Sequence, residues 1–155
     1  MKSSTIAKTF TIAAATALAL CIAPTANAQV AQRGCSNASL NGTFAYTGTG
    51  TIVSPAAFAG PFAEVGTQTF DGQGHTTATA TAMQNGTTLQ FAITGTYTVN
   101  PDCTGTLTLQ VAPIGITVPV FIVIDNNWNE FQAIETDAGY VITRLGKKLY
   151  PGSTT

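Results

Sequence analysis

From Thr43 onward the chain alternates between apolar and polar residues, and each alternating run ends in a short stretch rich in Gly, Asn, Asp or Pro. A period of two is the signature of one face of a β-strand, and no stretch after residue 28 carries a helical period instead. The predicted strands are residues 43–50, 62–70, 75–83, 88–99, 103–111, 118–125, 130–136 and 140–147. Between them lie Asp71-Gly72-Gln73-Gly74, Asn85-Gly86, Asn100-Pro101-Asp102, Asn126-Asn127-Trp128-Asn129 and Asp137-Ala138-Gly139. Asn-Gly and Asp-Gly accept the positive φ that tight hairpins demand, so these are turns with a mechanism.

The fourth and fifth strands set the faces. Leu89, Phe91, Ile93, Tyr97 and Val99 share one side, matched by Leu107, Leu109 and Val111 on the next strand, while the opposite side is threonine and glutamine. A slip of one residue would turn the whole set over, so the register is well specified. Eight hairpin-linked strands with one apolar face close most simply into a single all-β antiparallel up-and-down barrel, which also removes the exposed edges. A two-sheet β-sandwich is the alternative. A transmembrane barrel would need an apolar exterior, and the threonine face argues against one.

The first residues read as an export signal. Lys2 and Lys8 precede the apolar run TIAAATALALCIA, and Ala26-Asn27-Ala28 supplies a small-x-small cleavage pattern. We expect residues 1–28 to be removed and residues 29–155 to form one domain, with 29–41 as an N-terminal arm. The run is too short to stay as a membrane span. Lipidation at Cys21 would want a small residue before the cysteine, and Leu20 is not small.

Four basic residues then face seven acidic ones, a net charge of −3. That excludes a phosphate-binding face, hence nucleic acid as a partner. The two remaining cysteines, Cys35 and Cys103, form an even count in an exported chain and read as a disulfide. The expected location is secreted or periplasmic.

Five stretches carry a family resemblance: CSNASLNGTFAY (35–46), FDGQGH (70–75), GTYTVNPDCTGTLTL (95–109), FIVIDN (121–126) and IETDAGYVITRLGKK (134–148). Together they resemble a family of small secreted bacterial proteins without assigned function, the pattern G-T-Y-x-V-N-x-D-C-x-G-T around Cys103 being the most specific part. The Trp128 turn departs from it. The resemblance implies a lipocalin-like or allene-oxide-cyclase-like barrel and export, and it implies nothing about substrate.

In an up-and-down barrel, alternate connections lie at opposite ends. The short polar turns after the second, fourth and sixth strands share one end with Cys35 and Cys103, so the bridge would pin the arm across a floor. The longer apolar connections 51–61 and 112–119 lie at the other end, with Pro55, Pro61, Pro113 and Pro119. They read either as a lid or as a plug.

Chemistry is thin. His75 has no second histidine to build a metal site, the DGQG turn lacks the oxygen ligands of a calcium loop, and no serine sits in a nucleophile elbow. We therefore expect no metal, no cofactor and no thiol mechanism. Glu64 shares parity with Phe62 and Phe70, and Arg144 with Tyr140 and Ile142, so Glu64, Arg144 and Tyr46 could meet inside; Glu135 has ambiguous parity. Small inward residues (Gly48, Gly66, Ala78, Ala80, Gly95, Gly105) leave room beside bulky ones. The reading is a secreted barrel for a small apolar or amphipathic molecule, with Tyr46, Glu64, Phe91, Tyr97 and Arg144 as ligand-binding residues. The alternatives are a non-catalytic structural or surface-binding module, its threonine face suited to polysaccharide or ice, and a cyclase-like enzyme using Glu64 and Arg144. Oligomeric state is left open.

Overall fold

The alternation closes on itself. In the computed structural model, which describes residues 34–150, eight strands follow one another: β1 (Asn41–Ile52), β2 (Gly60–Asp71), β3 (His75–Gln84), β4 (Thr87–Val99), β5 (Thr104–Ala112), β6 (Ile116–Asp125), β7 (Glu130–Glu135) and β8 (Tyr140–Lys148). Each pairs antiparallel with its successor, and β8 returns to β1 from Phe44↔Lys148 to Ile52↔Tyr140, so the barrel has no free edge. The expected up-and-down barrel is the observed fold, and the two-sheet sandwich is set aside. The expected cleavage after Ala28 and residues 29–33 of the arm lie outside the described residues. Among the described residues, no helix is long and apolar enough to cross a membrane.

The connections are shorter than the sequence suggests. β1 runs on to Ile52 and β2 begins at Gly60, while β5 reaches Ala112 and β6 starts at Ile116, so the two ends of 51–61 and most of 112–119 are strand. Ile52, Ile116 and Val118 thus belong to strands, while Val53 to Ala59 remain connection. Asn85 (φ 45°) and Gly86 (φ 87°) form the left-handed pair of the β3–β4 hairpin. Cys103, predicted as a strand residue, instead takes a left-handed φ of 67° in the turn before β5, its N–H donating to the Asn100 carbonyl at 3.0 Å.

One half of the interior is solid. Phe44, Phe70, Phe131 and Tyr97 pack ring against ring, with centroids 5.2–5.8 Å apart. Gly146 stands opposite Phe131 across β7–β8, and the Phe131 ring occupies the space its side chain would take. Beneath this cluster, residues 34–40 cross the barrel end. The Asn37 side chain accepts the Val99 N–H at 2.8 Å, and the Tyr97 hydroxyl donates to the carbonyls of Asn37 and Leu40 at 3.1 and 3.0 Å. Leu40 is fully buried, and the Cys35–Cys103 disulfide clamps the segment to the β4–β5 turn. This is the floor.

The outer wall is less uniform than the threonine pattern suggests. A polar rung, Thr43–Thr69–Thr77–Thr94–Gln110–Thr117, crosses six strands in register. Around β6 to β8, however, Phe121, Val123, Ile134, Val141 and Leu145 are exposed. On β6 both faces are apolar, and there alternation no longer separates inside from outside.

Candidate ligand site at the open end of the barrel

The site rests on one residue that has no side chain. Gly48 of β1 lies opposite Glu64 of β2 on one side and Arg144 of β8 on the other. Strands two apart in a sheet are separated by about 9.5 Å, a gap that long side chains bridge only if nothing projects between them. Gly48 leaves that lane open. The Arg144 Nε donates to Glu64 Oε1 at 2.6 Å, and its Nη2 donates to Glu135 Oε1 at 2.8 Å. Glu135, whose facing the sequence left undecided, points inward. A Cβ at position 48 would stand 2.6 Å from Glu64 Oε1. Gly48→Ala should therefore push the carboxylate off Arg144 and cost about 1–3 kcal/mol; denaturant unfolding that shows no loss would contradict this.

Two carboxylates share one guanidinium in a nearly dry interior. Burial pushes the Glu135 carboxyl above the usual carboxylate range; Arg144 opposes the shift and Glu64 adds to it. Burial alone would lower the Arg144 pKa, but Glu64 and Glu135 more than offset it and hold the guanidinium cationic. The Tyr46 hydroxyl donates to Glu64 Oε2 at 3.4 Å, and burial first, then the Glu64 charge, keeps it protonated well above its ordinary pKa. Arg144 also lies over the Tyr46 ring, 6.0 Å from its centroid. Its buried Nη1 has no hydrogen-bond partner among the described residues.

Above this cluster the barrel is hollow. A cavity of about 100 Å³ has Glu64, Glu135 and Arg144 among its lining residues, with walls of Phe62, Phe91, Ile93, Val118 and Ile142. At the mouth stand Phe58, from the β1–β2 connection, and Ile114, from the β5–β6 connection; they are 41 % and 39 % exposed. Gln84 donates to the Phe58 carbonyl and ties that connection to the rim. The expected apolar end is thus neither closed by a plug nor empty of contacts.

Of the residues singled out from sequence, Glu64, Phe91 and Arg144 line the cavity. Tyr46 does not line it; it supports Glu64 from below. Tyr97 belongs to the floor, where its hydroxyl holds the arm, because it stands toward the closed end of β4 from Phe91. The inward glycines also need correction. Side chains at Gly66, Gly95 and Gly105 would run into the backbone of the neighbouring strand, at Thr79, Thr108 and Thr98, so these residues let the wall coil and do not widen a pocket. Leu89, Ile116 and Tyr140 also line it. Sequence reasoning put Leu89 and Tyr140 on the inner face without naming them as ligand-binding residues, and it read Ile116 as part of a connection. Among the described residues, no group of three His, Cys, Asp or Glu side chains is placed to hold a metal ion.

No protein-family model matches the chain, and no curated protein matches it. The chain is similar to two solved structures of redesigned β-barrels. One, b11L5F_LGL, is 15% identical, with 74% of this chain and 95% of that chain covered and a TM-score of 0.55. The other, mFAP1 bound to DFHBI, is 17% identical, with 72% and 97% covered and a TM-score of 0.51. At such identity the likeness is one of fold, and the fold is a closed antiparallel β-barrel.

Proposed function

We propose that this protein binds a small apolar or amphipathic molecule, admitted through the end that carries Phe58 and Ile114. The observation that supports the reading is the unequal filling of the barrel: one half is packed with aromatic rings, while the other encloses a cavity with apolar walls and a few convergent polar groups. That make-up is usual for a ligand site. The volume constrains the occupant. About 100 Å³ is below the roughly 150 Å³ cavity that takes up benzene, so a slender chain enters and any bulkier part stays between the mouth residues. The mFAP1 barrel, which holds DFHBI, supports the idea that this architecture accommodates a ligand.

The disulfide and the signal-like first 28 residues support action outside the cytoplasm, in periplasm or medium, by a domain of residues 29–155. A lipocalin-like role, carrying or sequestering a molecule, accords with that location.

Titration with an environment-sensitive lipophilic dye tests the reading. The dye should bind the wild-type protein. Phe58→Glu with Ile114→Glu should weaken binding by about tenfold or more, because the entering molecule must pass two charges. Both positions are partly exposed, so the melting temperature should stay within a few degrees. Absence of binding to any dye, or binding indifferent to the mouth variants, would defeat the proposal.

A further inference from the structure

The chemistry at the inner end of the cavity narrows what the occupant's head group is, an inference that rests on the binding role proposed above. Glu64, Glu135 and Arg144 carry two potential negative charges against one positive. All three are buried, and all three line the cavity. The remaining lining is uncharged, hydrocarbon apart from the Gln84 amide and the Tyr140 hydroxyl, so no further basic residue balances the excess. Lys147 and Lys148, the nearest basic residues in sequence, lie toward the floor end of β8: Lys148 sits 6.0 Å from the Phe44 ring centroid, and Lys147 pairs with Glu130 on the surface.

We propose that the cavity selects slender amphiphiles with a protonated amine head and rejects those with a carboxylate head. A charge taken out of water is costly unless it finds an opposite charge and hydrogen bonds. An ammonium entering this end brings the sum of charges to zero and offers N–H donors to the Glu135 and Glu64 oxygens. A carboxylate would be a third acid around one guanidinium. A neutral hydroxyl falls between them: it adds no charge, and its oxygen can accept from the unpartnered Arg144 Nη1. The head-group order is therefore amine, then alcohol, then acid, with the same tail throughout.

The test compares octylamine, octanol and octanoate by calorimetry and by displacement of a lipophilic dye from the full mature chain. It is run near pH 8, well above the carboxylate range and below the amine pKa. Octylamine should bind at least about tenfold more tightly than octanoate, with octanol between them. In Glu135→Gln the preference for octylamine over octanol should disappear. Should that variant fail to fold, the wild-type ranking alone decides the matter. Octanoate binding as tightly as octylamine, or a wild-type amine preference retained in Glu135→Gln, would overturn the head-group assignment and leave the binding role standing. If none of the three binds and no dye does either, the binding role falls, and this inference with it.

Discussion

Arg144→Leu should destabilise the barrel by about 3–5 kcal/mol at neutral pH, because it strands two buried carboxylates without a partner. Both lose a charge-assisted bond, from Nε at 2.6 Å and from Nη2 at 2.8 Å. The pH dependence follows from the direction of the shifts. A carboxyl whose folded pKa is raised above its unfolded value contributes stability that is full below the unfolded pKa and lost as pH rises through the folded one. Glu135 is raised already in the wild type, chiefly by burial. Without Arg144 its shift grows, so the deficit should be largest near pH 8 and shrink toward pH 4. Urea unfolding at several pH values checks this; a deficit that does not change with pH would contradict it. Replacing all three charged residues by leucine should restore most of the stability, since a well-packed apolar cluster commonly equals a buried ion pair.

Removal of the disulfide should cost a comparable amount by a different route. Cys35 and Cys103 are 68 residues apart, and a closed loop of that length corresponds to about 4 kcal/mol from restriction of the unfolded chain. Cys103→Ser should lower the melting temperature markedly and leave the strand content intact, because the barrel ladder does not include the bridge. The bonds from Tyr97 and Val99 to the arm should loosen with it, visible as faster amide exchange at Val99, whose N–H is held by the Asn37 side chain. An unchanged melting temperature would overturn this expectation.

Much of this architecture was legible in the sequence. Strand parity put Glu64 and Arg144 on the inner face, and closure of the last strand on the first brought them together. Period two is a local signal, and a barrel of consecutive hairpins adds only nearest-neighbour pairing to it. The misassignments arose where side-chain reach or curvature mattered. Tyr97 and Phe91 share a face, but six residues along a strand separate floor from cavity. The inward glycines looked like vacant space, yet three of them are points where neighbouring strands approach too closely for a side chain. Glu135 sits at the end of β7, where its parity was unreadable without the register to β6. The apolar outer strip escaped on β6 because a strand apolar on both faces carries no alternation.

The separation of a filled floor from a hollow mouth has a consequence for how such a chain can change over generations. The residues that secure folding, namely the aromatic cluster, the arm and the disulfide, are not those at the mouth of the cavity. Substitutions at Phe58, Leu89, Ile114, Ile116 or Tyr140 can reshape the cavity while the Phe44–Phe70–Phe131–Tyr97 packing stays untouched. Distant, non-contacting positions affect stability almost additively, so new specificity at the rim need not be traded against persistence of the fold. Descendants of such a barrel would diverge fastest at one end and keep the other.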